Sequence, residues 1–557
     1  MSTRHPWTAV GIIAMLFAVV VAAGLLANQG QRRAVDPLKA GDLTALKAEL
    51  ALSPKDEALK ERIRVYDASV RSAWFTHEAI AQRGAWLLLA GVVVAIGALK
   101  RARRIEDRPY DPRGQATPDV VRAAAHGRWG VAIGGLVLFG GLLALGGGDA
   151  EGPAVPQSVP TIGPPPDAAV IARNWPNFRG PAAGLAQGPA ATSWDAAAGT
   201  NLRWQTTIPL PGFNSSAVWE GSVYLTGSDG ARQEVYAIDA DSGAIRWTCA
   251  IPVPAGAKLE PFEATGFAAP SPATDGRCVV VLFATGSLAA VSPEGRILWS
   301  KSLGVPDSQY ALAASPVIWR DRVLVQLDQG SEADGKSALI AFDLASGREL
   351  WRSRRPTGST WASPVVADLA GRSQILACGS PHLIAYDPAT GAELWRAACL
   401  GGEIAPSPAI AGGTVIVAND SAQIACLRSD GRGDVTATHL VWSGTDGLPD
   451  SVSPVADAEL VAMLSPGGLL TCLDAKTGAK LWEHDFSAQF TASLIVAGGR
   501  LYATEASGLT HIVAWGREFA EIGSGCLGEE ISTTPAIVGG RIFLRGKTSL
   551  FCIEARP

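Results

Sequence analysis

The sequence predicts an all-β fold, an eight-bladed β-propeller of four-stranded blades, behind an α-helical N-terminus that meets a membrane. Three observations carry that prediction. Four stretches are near copies: AIDADSGAIRW ending at Trp247, AFDLASGRELW at Trp351, AYDPATGAELW at Trp395 and CLDAKTGAKLW at Trp482. Each has an Asp eight residues and a Gly four residues before its Trp (Asp239 and Gly243, Asp343 and Gly347, Asp387 and Gly391, Asp474 and Gly478). A fixed period with a turn-and-Trp signature marks stacked supersecondary units. Eight small-residue turns precede apolar strands: SSAVW, PSPAT, ASPVI, ASPVV, PSPAI, VSPVA, TASLI and TTPAI. The long uncharged apolar runs, by contrast, are confined to residues 1–148.

Composition narrows the classes. A chain of 557 residues exceeds one ordinary domain, and 62 Gly with 36 Pro make it turn-dense. A formal net charge of -5 excludes a basic footprint for nucleic acid.

The membrane region is expected over 1–148, with spans at 8–27, 84–99 and 129–148. The first and third are twenty residues each without a charge, long enough to cross a hydrocarbon core. The second has sixteen, between Arg83 and Lys100, whose long side chains can snorkel. The cluster Lys100–Arg104 puts the following loop in the cytoplasm and everything after Gly148 in the periplasm, although Arg32 and Arg33 oppose that orientation. The first span is expected to stay as an anchor.

Between the first two spans, 36–83 reads as a helical insert. Ser53-Pro54-Lys55-Asp56 forms a helix start, and Leu59, Ile63, Tyr66, Val70 and Trp74 recur on one face. Residues 149–174 hold Pro153, Pro156, Pro160 and Pro164-Pro165-Pro166, an extended tether with no fold of its own.

From 175 to 557 the repeat governs. Each unit supplies four short strands, the third ending in an Asp-x-x-(Ser/Thr)-Gly turn and the fourth carrying a Trp. That Trp position is filled at Trp247, Trp299, Trp351, Trp395, Trp442 and Trp482; unit seven has Ile522 instead. Unit eight stops after SLFCIEA, so its fourth strand is expected from NLRWQTTI, with Trp204, at the other end of the domain. The Gly allows a turn that a Cβ would obstruct, the Asp hydrogen-bonds that turn, and the Trp wedges between blades. Eight dispersed cysteines without a CxxC read as small core residues, with Cys426, Cys472 and Cys552 replacing Ala at one place in the repeat.

These repeats, with the opening WPNFRGPAAGLA and the stretches LVQLDQG and RRPTGSTWASPVV, resemble the PQQ-binding-like β-propeller repeat family. The resemblance also extends to the propeller of the outer-membrane protein assembly factor. It implies one of two activities: a scaffold that binds no quinone, or a dehydrogenase holding pyrroloquinoline quinone with calcium. Many such dehydrogenases use a disulfide of adjacent cysteines, and this chain has no adjacent pair.

The expected function is a binding scaffold, anchored in the inner membrane, for a protein or polysaccharide partner. The alternative is a quinone-dependent alcohol or sugar dehydrogenase that passes electrons to the membrane. Candidate binding residues are those on the least regular connections: Glu263, Asp328 and Gln329, and Trp361, an aromatic outside the wedge scheme. No residue is assigned as catalytic or metal-binding. The seven His, His382 and His484 among them, lack metal-ligand spacing.

Overall fold

A computed structural model describes residues 6–34, 80–81, 84–89, 91–98, 100–101, 162–254, 259–260 and 265–555. The chain divides into two units, Met1–Val159 and Pro160–Pro557.

In the first unit a 29-residue helix, Pro6–Ala34, contains the first expected span. Residues 84–89 and 91–98 of the second are helical too. The two helices run antiparallel: a Cβ on Gly84 would stand 2.6 Å from Leu25, one on Gly91 would stand 3.0 Å from Phe17, and Arg101 lies over the Trp7 ring. Small residues let the backbones approach, and Ala14, Phe17, Ala18, Val21, Ala95 and Ala98 are buried. Counting described residues, no helix is long and apolar enough to cross a membrane. Three spans are therefore not established. Several side chains of the first helix, the third span at 129–148 and nearly all of the 36–83 insert lie outside the description.

The second unit is all-β. Among the described residues it forms eight sheets, each with an antiparallel core of four strands. We number them in chain order by their first strands: sheet 1 at Ala217–Trp219, 2 at Ala273–Thr274, 3 at Val317–Trp319, 4 at Val365–Leu369, 5 at Ala409–Ala411, 6 at Val455–Ala456, 7 at Ile495–Ala497 and 8 at Ala536–Val538. The fourth strand of sheet 8 is Leu202–Thr207, antiparallel to Ser549–Glu554 with Trp204 opposite Cys552. The linker departs from expectation at its end. Residues Ala168–Ala172 form a short helix, because Val170 and Ile171 have an apolar surface on sheets 1 and 2 to cover.

One set of hydrogen bonds runs through all eight sheets. Two residues before each first strand stands a buried hydroxyl, and it accepts from the backbone N–H of its counterpart in the preceding sheet. Ser215 donates to Ser271 (2.9 Å), Ser271 to Ser315 (3.0 Å), Ser315 to Ser363 (2.9 Å) and Ser363 to Ser407 (2.9 Å). Ser407 donates to Ser453 (3.0 Å), Ser453 to Ser493 (3.1 Å), Ser493 to Thr534 (2.9 Å) and Thr534 back to Ser215 (2.9 Å). The series returns to its start. Next to it, residues 175–185 cross from sheets 1 and 2 to sheets 5, 6 and 7. Trp175 bridges Val218, Pro176 accepts from Thr274, and Leu185 pairs with Val496. Arg179, wholly buried, caps this segment by donating to the carbonyls of Pro408 (3.0 Å), Ala183 (2.7 Å) and Pro454. Among the described residues no carboxylate pairs with it, and burial brings its pKa down to about 9.

Farther out, each wedge Trp meets the turn of the next sheet. Trp204 donates to the carbonyl of Ala240 (3.0 Å), Trp247 to Pro293 (2.8 Å) and Trp299 to Leu344 (2.8 Å). Trp351 reaches Pro388 (3.3 Å), Trp442 Ala475 (2.8 Å) and Trp482 Gly516 (3.0 Å). The motif glycines receive these indoles: a Cβ on Gly347 (φ +67) would stand 2.6 Å from Trp299, and on Gly243 (φ +76) 2.7 Å from Trp204. The residue opposite each wedge is small, Ala237, Ala290, Ala341 or Ala385 in four sheets and Cys426, Cys472 or Cys552 in three. All eight cysteines are free thiols, seven of them buried.

Two positions break the pattern. Sheet 5 lacks the Asp turn and sends Gly433–Asp434 to pair with the outer strand of sheet 4; Trp395 is then fully buried and donates to Gln374 of its own sheet (2.7 Å). In sheet 7, which carries Ile522 and no Trp on its fourth strand, Ser193–Asp195 adds outside Glu521–Cys526. Trp194 lies flat on Gly525 there and joins the cluster of sheet 8.

The Asp of each motif accepts from its own turn: Asp239 from Ser242 N (2.7 Å), Asp343 from Ser346 N (2.9 Å), Asp387 from Thr390 N (2.9 Å) and Asp474 from Thr477 N (3.0 Å). The Arg246 contact and these N–H bonds hold the Asp239 carboxyl below the usual range; Arg517 does the same for Asp474.

Three outcomes are expected. Ser407→Ala strands a buried N–H and should cost about 1–3 kcal/mol in urea unfolding. Gly347→Ala should cost about 1–3 kcal/mol beyond Gly371→Ala, because Gly371 (φ +76) faces open space and pays only for its left-handed backbone. Carboxyls lowered by folding stabilise above the unfolded pKa, and that contribution is lost as pH falls through the folded value. The melting midpoint should therefore drop on acidification below the ordinary carboxylate range, and Arg246→Gln should flatten the drop.

Candidate functional site

Strands alternate in direction, so the turns between third and fourth strands, the Asp turns among them, lie at one end of each sheet. The turns between second and third strands, and the connectors that enter the next sheet, lie at the other end. All described candidates fall at this second end. Glu263 lies outside the described residues.

Asp328 follows the second strand of sheet 3, Arg322–Leu327, and is withdrawn from solvent. Its Oδ1 accepts from Arg355 Nε at 2.8 Å, and both side chains have zero exposure. Its Oδ2 accepts from Thr360 (2.5 Å) and Gln326 (2.8 Å), while Arg355 also donates to the carbonyl of Cys378 (2.8 Å). Burial opposes the Arg355 cation, but the Asp328 charge outweighs it and holds its pKa above the arginine norm. A carboxylate so fully used ties sheet 3 to sheet 4 and is not presented to a ligand.

Gln329 and Trp361 converge on one connector, Asp307 to Tyr310. Gln329 accepts from the Asp307 N–H (3.2 Å), and Lys336 pairs with the Asp307 carboxylate (2.6 Å). Trp361 donates through Nε1 to Ser308 (3.1 Å) and through its backbone to Ile404 (2.8 Å). Its ring meets Tyr310 edge-on, centroids 4.7 Å apart at 88°. Burial, then the charges of Glu403 and Asp450, raise the Tyr310 pKa; burial, then Asp420, raises that of Asp450. The connectors into sheets 3 to 6 thus bring together an aromatic pair and carboxylates. Such a mouth offers stacking surface and acceptors to a cationic or hydroxyl-rich group. Tyr310, Glu403 and Asp450 carried no signal beyond their place on connectors.

A cavity of about 300 Å³, lined by Glu332, Arg354, Arg355, Pro356 and Arg396, opens beside this region. His382 is half-buried, its pKa lowered by burial and then by Arg396, and His484 stacks on Phe519 at 4.0 Å. Among the described residues no three His, Cys, Asp or Glu converge on a point that could hold a cation, and no two cysteines are joined.

Sheet topology, wedges and motif turns together define a β-propeller of the quinoprotein-like class. The profile described as outer membrane protein assembly factor BamB matches residues 182–368, 335–434 and 382–518, more than half of the chain, which belongs to that family. Curated proteins give no match. Among solved structures, BamB from Moraxella catarrhalis is 18% identical, covering 63% of this chain and 97% of its own, with a TM-score of 0.49. Quinohemoprotein alcohol dehydrogenase from Comamonas testosteroni is 13% identical, covering 70% and 82%, with a TM-score of 0.53. A quinohemoprotein alcohol dehydrogenase from Pseudomonas putida HK5 is also 13% identical, over the same shares, with a TM-score of 0.50. Likeness at these identities concerns the fold.

The buried pair and the open mouth should separate on mutation. Asp328→Asn leaves an uncompensated guanidinium and should cost about 3–5 kcal/mol in thermal denaturation. Tyr310→Ala, on the rim, should leave the midpoint near that of the wild type.

Proposed function

We propose that this chain is a membrane-anchored scaffold whose eight blades close into a ring in the periplasm and bind a protein partner at the mouth around Trp361. The observation that carries this reading is the contrast between two carboxylate sets. Asp328 is consumed by Arg355, whereas Glu403 and the partly withdrawn Asp450 still reach solvent around the Tyr310–Trp361 pair. An arginine-bearing segment of a partner matches that rim, cation over ring and donors to carboxylate.

The ring reading is supported by the returning hydroxyl series and by the pairing of Leu202–Thr207 with Ser549–Glu554. The anchor reading is supported by the outer surface of the N-terminal pair of helices. Ile12, Met15, Leu16, Val19, Trp86, Leu89, Val93, Val94 and Ile96 are all exposed there, a surface that hydrocarbon would cover at no cost.

Purified full-length protein, mixed with an arginine-containing peptide, should bind it saturably, and Glu403→Gln with Asp450→Asn should weaken binding about tenfold. Reconstitution with pyrroloquinoline quinone and calcium should give neither stoichiometric binding nor dye-linked oxidation of alcohols or sugars. Oxidation would replace the scaffold by the dehydrogenase. A phosphatase fused after Pro557 should be active, and inactivity would put the propeller in the cytoplasm.

A further inference from the structure

We infer that the outer edge of sheet 5, strand Leu440–Gly444, is a docking site for an uncharged extended strand of a partner protein. The inference deepens the scaffold reading and rests on it, but at a surface away from the mouth.

Edge strands expose unpaired N–H and C=O groups, and proteins blunt them with charges or cover them. Both devices are visible here. The outer strands of sheets 1, 2, 3, 6 and 8 carry Arg246; Lys301; Glu349, Arg352 and Arg354; Lys480, Glu483 and Asp485; and Arg203. The outer strands of sheets 4 and 7 are covered, by Gly433–Asp434 and Ser193–Asp195. Both covering strands run parallel to the strand they join, so this ring already takes on added strands in that geometry.

Sheet 5 uses neither device. Leu440–Gly444 reads LVWSG, has no charged residue, and among the described residues has no strand beyond it. Leu440 and Val441, side by side at the bulge, are 45% and 46% exposed. Trp442 points inward as the wedge and is buried, so the edge is held firmly from behind. A rigid, neutral, aliphatic edge favours an occupant that is itself neutral and extended, paired parallel through its backbone, with apolar side chains set on Leu440 and Val441.

The probe is an uncharged peptide of alternating Val and Thr carrying a fluorophore, titrated into the full-length protein in detergent. Saturable binding is expected, with slowed hydrogen exchange confined to the amides of 440–444. Val441→Lys should weaken binding about tenfold at an unchanged melting midpoint. Leu440→Lys, also on the exposed side, should do the same. Ile297→Lys, on an edge that already carries Lys301, should have no effect. Absence of saturable binding, or binding by Val441→Lys and Leu440→Lys as tight as by Ile297→Lys, overturns the inference. So does a dimer that protects these amides without peptide and dissociates in Val441→Lys, since the occupant would then be a second copy. Quinone-dependent oxidation would remove the scaffold reading and leave peptide binding at this edge intact, so the two failures are distinguishable.

Discussion

Eight hydroxyls, each taking the N–H of the sheet before it, set the spacing of everything outside them. The first strand of a blade is short, two to five residues, and has little ladder of its own to fix its position. A side-chain acceptor at one fixed place satisfies a buried donor and ties each blade to its neighbour at about 3 Å. In six of the eight described sheets the next residue is proline (Pro272, Pro316, Pro364, Pro408, Pro454, Pro535), which has no N–H to leave unsatisfied. The indole wedges then fill the widening gap between blades at larger radius. Their glycine seats are set by contact as much as by φ.

Periodic features were legible because period is what sequence displays. The Asp–Gly–Trp turns and the small residue opposite each Trp could be read without coordinates. Ser or Thr stands at the same place in all eight openings, but a hydroxyl is ordinary turn chemistry, so the series has no separate signature in the sequence. What could not be read is what has no period. Arg179 finds carbonyls 229 and 275 residues away, and nothing in WPNFRGPAAGLA announces that reach. Trp194 supplies the indole missing from sheet 7 from the far end of the domain, and the glycines of EIGSGC are the only local trace.

The candidate site shows the same division. The turn DQGSEADG looks like a solvated loop, and polarity gave Asp328 and Gln329 equal standing. Their fates differ because Arg355, 27 residues on, is buried beside one and not the other. Trp361 is legible as an aromatic beyond the wedge scheme, but its partner Tyr310 comes from the preceding connector, outside any local pattern.

Pairing Leu202–Thr207 with Ser549–Glu554 also orders events in time. Strand Leu202–Thr207 must wait without its partner in the sheet while the strands of the other sheets emerge, since Ser549–Glu554 follows all of them in the chain. Long-range pairing of this kind is slow and leaves a hydrogen-bonding edge bare in the interim. Arg203 on that waiting strand is well placed to keep it from joining the wrong sheet.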